Sequence, residues 1–391
     1  MKKENLEKII ELRHTLHAHP ELSMQEVWTK NYLMNFIKEN THLSVVDRGK
    51  WFYAFYKCPI TDNHPSPDKD PILDSEISCA ETTAFRVDFD ALPMDERSGL
   101  PYASVNPGVC HKCGHDGHSA VLAGLALELD QRGADKNICL IFQHGEEIGA
   151  GGEECAQIIP ELGISKVYAF HNMSGYPEKS VILKSGVVQC TSKGFTVKMV
   201  GTPAHASQPE DGKNPAAAIA ELTLYQAEAT RKNSYRGFVL STVVHVEIGT
   251  KNFGISASTG QLSMTLRADY EEDLNTLEHQ IRSKAEALGE TYGLAVSYEE
   301  TDFFPETVND ETIIEEVRKA AQHQNLQLID MEHSFRASED FGYYLKKCPG
   351  AIFYIGNGES YPPIHTSEFD FHDGIMETAV DLFAILGEIH C

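Results

Sequence analysis

Positive charge is scarce in this chain. Its 391 residues hold 33 Lys and Arg against 58 Asp and Glu, a formal net charge of −25. So acidic a protein repels phosphate backbones and anionic headgroups, so neither nucleic acid nor a membrane surface is an expected partner. Long apolar runs are missing too. The longest, residues 120–129, is broken by Gly124 and Glu128 and falls well short of the roughly 18–20 apolar residues that span a bilayer. The opening, MKKENLEKIIELRHTLHAH, is charged and amphipathic and has no continuous apolar stretch of the signal-peptide kind, which leads us to expect a cytoplasmic protein. Nor do the cysteines form a framework. There are nine, an odd number scattered through a long chain, and they read as reduced thiols. No internal repeat or low-complexity tract is present. With about 150 residues per domain as a soft guide, the length suggests two or three domains. A composition 41% apolar and 23% charged is that of a globular chain able to bury a large core without staples.

Periodicity organises the rest. Residues 5–19 place Leu6, Ile9, Ile10, Leu12 and Leu16 at helical spacing, and Pro20 ends the run. A second helix is predicted over 26–39 and an aromatic strand over 51–56. Residues 58–82 hold four Pro and many Asp and Ser and read as an exposed loop, with Cys58 and Cys79 near its ends as either unrelated thiols or a conditional disulfide. Three apolar strands follow, at 83–87, 138–142 and 166–170, with a helix at 118–132 between the first two. Such alternation implies a parallel or mixed sheet covered by helices. Each strand is followed by polar, metal-capable residues: Asp88 and Asp90, then Glu146 and Glu147, then His171 and Asn172. Open α/β sheets place their ligand sites at those strand ends. From about residue 192 the order becomes β-α-β-β-α-β, with strands at 194–200, 239–248, 261–268 and 295–299 and helices at 214–229 and 271–289. That is a ferredoxin-like arrangement. It sets the expected domains: 1–190 with 304–391 as one, 191–303 as an insertion. A helix near 311–324, a strand at 351–355 and a last helix from residue 374 return the chain to the first domain.

The densest chemistry is Cys110-His111-Lys112-Cys113-Gly114-His115-Asp116-Gly117-His118. A structural zinc knuckle needs a second pair at matching spacing, and none follows. A redox CxxC is a second reading. A catalytic metal site that draws further ligands from the neighbouring strand ends is the third. Glu146-Glu147 suits it, because adjacent side chains leaving a strand point apart. One carboxylate can bind metal while the other handles a water proton. A solvated acidic turn, continued by Glu153 and Glu154, is the plain alternative.

These residues resemble the dinuclear metallo-amidohydrolases that include aminoacylases, hippurate hydrolase, auxin-conjugate hydrolases and N-acetyl-diaminopimelate deacetylase. ELRHTLHAHPELSMQE is similar to the opening motif of that family, FRVDFDALPMDE to R-x-D-x-D-A-L-P, CHKCGHDGHSA to M-H-A-C-G-H-D-x-H, QHGEE to a Q-P-A-E-E-type motif and FHNMSGYP to L-H-N-x-x-G-x-P. GTPAHASQPEDGKNPAAAI resembles the entry to its satellite domain, and SEDF and PPIHTSEFDF its closing motifs. The likeness runs over essentially the whole chain. It implies an α/β fold: a mixed-sheet, metallopeptidase-like catalytic domain with an inserted ferredoxin-like (βαββαβ) satellite domain. It further implies two divalent metal ions (zinc, manganese, cobalt or nickel) held by Cys113, His115, Glu147, His171 and His365, with Cys113 as the bridge. By the same resemblance Glu146 is the general base and then acid, Asp90 and with it Asp88 support the ligands, and His205 stabilises the oxyanion from the neighbouring subunit of a homodimer built through the satellite domain. The implied reaction is hydrolysis of the amide of a small N-acyl amino acid by a metal-activated water. A dipeptidase or exopeptidase with the same chemistry is the alternative, and an inactive metal-binding interaction protein a third.

The departures bear on specificity. His144-Gly145 stand where that family commonly has Pro-Ala, and NFGISAS replaces its N-V-I-P-D stretch. The 58–82 loop is longer than usual, and Cys110 replaces a Met and reads as packing. His144 could tune the base, touch substrate or only pack. Arg267 could bind a substrate carboxylate or be a plain sheet arginine. His14, His17 and His19 read as structural, and His111 and His118 as support or packing.

Overall fold

A computed structural model describes residues 1–59, 81–231 and 235–390, so Cys79 and most of the predicted 58–82 loop lie outside the described residues. Ile9, Leu12 and Leu16 are buried along one face of helix α1 (Lys3–Ala18), which stops just before Pro20. Then come α2 (Val27–Asn40), β1 (Ser44–Asp47), β2 (Phe52–Tyr56), β3 (Thr82–Asp88), α3 (His115–Arg132), β4 (Asn137–Gln143), β5 (Ile164–Ser174) and β6 (Val181–Leu183). Next are β7 (Thr191–Val200), α4 (Ala216–Ala229), β8 (Val239–Ile248), β9 (Thr259–Ala268), α5 (Glu271–Tyr292) and β10 (Ala295–Phe304). The chain closes through α6 (Glu311–His323), β11 (Leu328–Asp330), β12 (Gly350–Gly358) and α7 (Met376–Leu386).

Two compact units result. The first comprises Met1–Gly186, Val308–Glu332 and Tyr343–Cys391. Its eight strands run in the order β1-β2-β4-β3-β5-β12-β6-β11. At the centre β3 is parallel to both β4 and β5, and β12 is parallel to β5. Every residue of β3 is buried, as expected of a parallel strand covered on both faces. Parallel pairing sends the C-terminal ends of β3, β4 and β5 to one edge, with Asp88 opposite Gln143.

Helix α3 is buried on all sides from His115 to Leu129, so it is an interior helix rather than an amphipathic one. It starts at His115, three residues before the predicted start. Gly114 makes that possible: its φ is +109° and a Cβ there would stand 2.3 Å from Asn172 Oδ1. Further along, a Cβ on Gly124 would lie 2.9 Å from both Ile9 Cδ1 of α1 and Val380 Cγ2 of α7, so three helices meet at that point.

The second unit comprises Val187–Thr307 and His333–Gly342. Its sheet runs β10-β7-β9-β8, every pairing antiparallel, which is the ferredoxin-like order. Phe195, Val197, Met199, Leu262, Met264 and Leu266 form one core with Ile219 and Leu222 of α4 and Leu274, Leu277 and Ile281 of α5. Edge strand β8 is different, leaving Val244, Val246 and Ile248 exposed. Residues 333–342 group with this unit rather than with the expected 304–391 return segment, because hydrogen bonds tie them to it: Cys190 N–H to the Ala337 carbonyl, Phe335 N–H to the Val188 carbonyl, and Ser338 Oγ–H to Ser192 Oγ. Among the described residues no helix is long and apolar enough to cross a membrane.

The three-helix contact at Gly124 gives an expected outcome. Gly124→Val is expected to cost about 1–3 kcal/mol by overpacking, although valine removes a helix-interior glycine. Urea denaturation measures it, and an unchanged midpoint would refute the close approach.

Candidate metal centre

Asp90 organises the strand-end cluster. It is buried just beyond β3, and its Oδ1 meets His115 Nδ1 at 3.1 Å. Its Oδ2 accepts the Ser23 hydroxyl at 2.7 Å and the Glu147 N–H at 3.0 Å. The His115 ring is thereby oriented with Nε2 toward three acids: Asp88 at 3.7 Å, Glu146 at 3.8 Å and Glu147 at 3.8 Å. Burial alone would lower the His115 pKa, but Asp88, the Asp90 hydrogen bond and Glu147 together raise it to about 10. Burial lifts Glu147 to about 7 even though His115 opposes it. The acids outnumber the bases, and the cluster is short of positive charge.

Cys113 and His171 complete one side. Cys113 Sγ lies 3.4 Å from His171 Nε2, while His171 Nδ1 is engaged by the Asn172 carbonyl at 2.7 Å. Burial, then Glu147 and Glu146, push the Cys113 thiol well above its ordinary value. Burial and His118 hold His171 well below its own. His365 Nε2 lies 3.6 Å from Glu147 Oε2, and the residue sits at φ +60° with a half-exposed ring. Candidate donor atoms of Cys113, His115 and His171 lie within 4.8 Å of one another, as do those of Cys113, Glu147 and His365, and those of His115, Glu146 and Glu147. His115 Nε2 and Glu147 Oε1 are buried with no hydrogen-bond partner among the described residues. Thiol, imidazole and carboxylate around orphaned, mutually facing donors are the chemistry of a zinc-like site, so these residues could hold cations.

His118 sits one step back, between Asp88 Oδ1 and the Asn172 side chain, each at 2.7 Å. Arg86 Nη1 donates to Asp88 Oδ2 at 2.8 Å and its Nε to Gln143 at 3.0 Å, so a buried cation faces the cluster from beneath. His205 belongs to the second unit. It is exposed, with Nδ1 2.7 Å from Ser207 Oγ. His144 is buried beside Cys155 Sγ, at 3.8 Å, with Nε2 3.6 Å from Glu154. Arg267 Nη1 donates to the Arg336 carbonyl and to Ser338 Oγ, each at 3.0 Å. The Cys110 thiol donates to the Met94 carbonyl.

Several supporting residues had no role in the motif reading. Asp116 accepts Arg13 Nε at 3.0 Å and contacts His17 Nδ1 at 2.7 Å, which ties the first turn of α3 to α1. The spacing of Arg13 and His17, four apart on one helix face, is a signal that could have found them. Glu26 accepts the Gly145 N–H at 2.8 Å, next to Glu146. Nothing local to residue 26 announces that contact.

A family model described as Peptidase family M20/M25/M40 matches residues 84–388. An N-acetyl-L-cysteine deacetylase of Bacillus subtilis (strain 168) is 31% identical over 355 residues, spanning 90% of this chain and 81% of the relative. An N-acetylcysteine deacetylase of the same strain is 28% identical over 386 residues, spanning 98% and 96%. The crystal structure of a Bacillus subtilis protein described as a dinuclear metal binding peptidase from the M20 family superposes with a TM-score of 0.80 at 25% identity, covering 99% of each chain.

The buried Glu26 carries a pH signature. Burial and the nearby Asp90 raise its pKa from 4.5 to about 7, so the fold favours its neutral form. Its contribution to stability is fully present below pH 4.5 and is lost as pH rises through about 7. Glu26→Gln keeps an acceptor for Gly145 and cannot ionise. The variant is expected to gain on the wild-type protein by up to about 3 kcal/mol between those limits and to hold that gain at pH 8. Urea denaturation at pH 5 and pH 8 checks it, and a gap that does not widen with pH would refute it.

Proposed function

The chain belongs to the M20/M25/M40 peptidase family, and on that footing we propose that it hydrolyses the amide bond of N-acyl amino acids with the help of two divalent cations. One observation carries this reading: the orphaned His115 Nε2 and Glu147 Oε1 face each other within a buried set that also holds Cys113 and His171. Cys113, His115, Glu147, His171 and His365 would hold the ions. When bound, such ions supply Lewis acidity toward the acyl oxygen and toward the attacking water. The deacetylase relatives and the dinuclear neighbour support both the substrate class and the pair of ions.

The protein's own residues supply orientation and proton transfer. Glu146 is buried at the mouth of the turn Glu146–Ile148, with Oε2 3.8 Å from His115 Nε2. It takes a proton from the attacking water and returns it to the amine nitrogen as the C–N bond breaks. Asp90 holds the His115 Nδ1 side, which keeps Nε2 free as a donor atom. His205, supplied by a second copy of the chain, donates to the oxyanion that forms on the acyl carbon. The exposed apolar edge of β8, with Val244, Val246 and Ile248, is a surface on which the second units of two copies would pair.

The first test counts metal and product together. Purified protein is expected to hold two divalent ions per chain by elemental analysis and to release amine from N-acetyl or longer N-acyl amino acids faster than from dipeptides. A preference for dipeptides would reverse the substrate assignment. The second test is complementation. Glu146→Gln and His205→Ala are each expected to lose about 10²–10⁴-fold in turnover. Unfolded together and refolded, they would regain a sizeable fraction of activity, because a mixed dimer contains one intact site. No recovery would place His205 outside a shared site, and full turnover by Glu146→Gln would remove Glu146 as the base.

A further inference from the structure

Lys112 is fully buried beside Cys113. Its ammonium donates to Glu96 Oε1 at 2.6 Å and to the Phe369 carbonyl at 2.6 Å. Burying a lysine is costly unless its charge is paired and its protons find acceptors. The motif this stretch resembles has alanine at the same position, so the lysine is a feature of this chain rather than of the motif. Its main chain makes a second contact with the same distant segment: the Lys112 carbonyl accepts the His365 N–H at 2.7 Å. His365 stands at φ +60°, a conformation that a residue with a Cβ keeps only when its surroundings hold it.

A single hydrogen bond is a hinge. Two anchors four residues apart, one on residue 365 and one on residue 369, fix the orientation of the segment between them. Glu96 is itself held in place. It also contacts His17 Nε2 at 2.9 Å, the Ser98 hydroxyl at 2.5 Å and the Ser104 N–H at 2.7 Å. The next residue adds a third tie, from Arg97 N–H to the Ser367 carbonyl at 3.1 Å.

We propose that Lys112 is a positioning residue: its ammonium, bridging Glu96 and the Phe369 carbonyl, locks the loop that carries His365 onto the turn that carries Cys113. This rests on the reading of Cys113 and His365 as metal donors. Those donors lie far apart in sequence, and the Lys112 ammonium ties their two segments together from the side-chain side. The consequence is selective. Loss of the ammonium loosens His365 and the ion it serves, and spares the ion held by His115 and His171.

Lys112→Met keeps the apolar stem and removes the charge. Zn2+ titration against a chromophoric chelator is expected to show one ion bound with wild-type affinity and the other at least tenfold more weakly. Amide hydrogen exchange, measured without metal, is expected to quicken at least tenfold over residues 365–369 while α3 keeps its protection. Two ions held as in the wild-type protein, with unchanged exchange, would overturn the proposal. So would exchange that quickens equally throughout the chain, since that is general destabilisation. If Lys112→Met does not fold, the metal-free wild-type protein decides: 365–369 amides as unprotected as those of a free peptide rule the clamp out, and strong protection there supports it. A wild-type protein that binds no pair of Zn2+ ions would sink the donor assignment, and the exchange comparison would still judge the clamp.

Discussion

Carboxylates crowded together out of water set the terms for everything around them. Asp88, Asp90, Glu146 and Glu147 are gathered at one edge of the sheet around the single ring of His115. Like charges at such separations resist ionisation together unless cations intervene. The surrounding acids raise the pKa of His115 against its burial, and burial first, then Asp90, raises that of Glu147. Arg86 answers part of the demand for positive charge from beneath, on Asp88. The rest is met only from the side where His115 Nε2 and Glu147 Oε1 are without partners among the described residues. The cluster is therefore poised to take up positive charge, which is what a family of metal-dependent hydrolases requires of it.

The fold makes this crowding affordable by separating construction from chemistry. Parallel pairing of β3 with β4 and β5 aligns three strand ends, and the register that sets Asp88 opposite Gln143 lets Arg86 reach both. Helix α3 brings His115 and His118 into the same layer, and Arg13 and His17 of α1 hold its first turn through Asp116. Cations thus stand one residue away from the donors: Arg13 behind Asp116, Arg86 beneath Asp88, Lys112 beside Cys113. None of the three lies among the proposed donor atoms, so each neutralises supporting acids without competing for the site.

Most of the framework was legible in the sequence because it is written in local signals. The strands that carry Asp88, Gln143 and His171 are apolar runs followed at once by polar residues, although β5 continues past His171 to Ser174, and the β-α-β-β-α-β order of the second unit shows in alternation and helical periodicity. The early start of α3 was not legible, since it depends on Gly114 turning where a side chain would strike Asn172. Lys112, Glu26 and Ser23 escaped for a similar reason. Their meaning lies in partners far along the chain, Phe369, Gly145 and Asp90, and no short-range pattern specifies such a contact. His144 shows the converse. Its position near Glu146 in sequence left open tuning of the base, contact with substrate or packing alone, and in the structure its ring lies against Cys155 and Glu154.

The altered NFGISAS stretch takes on a physical meaning within the second unit. Its backbone pairs with the loop of His205, through Ser256 N–H to the Ala204 carbonyl at 2.9 Å and Ala206 N–H to the Gly254 carbonyl at 3.1 Å. The Ser256 hydroxyl also accepts the Ala204 N–H at 2.9 Å. A proline within such a pairing would remove a backbone donor, so a stretch that lacks one can splint the loop more fully. Phe253, at the tip, is 89% exposed, and Ile255 is exposed beside it. The imidazole proposed to meet the oxyanion and the apolar tip are therefore parts of one ladder-linked element. A sequence change that reshapes the tip therefore bears on the position of the imidazole through the same hydrogen bonds.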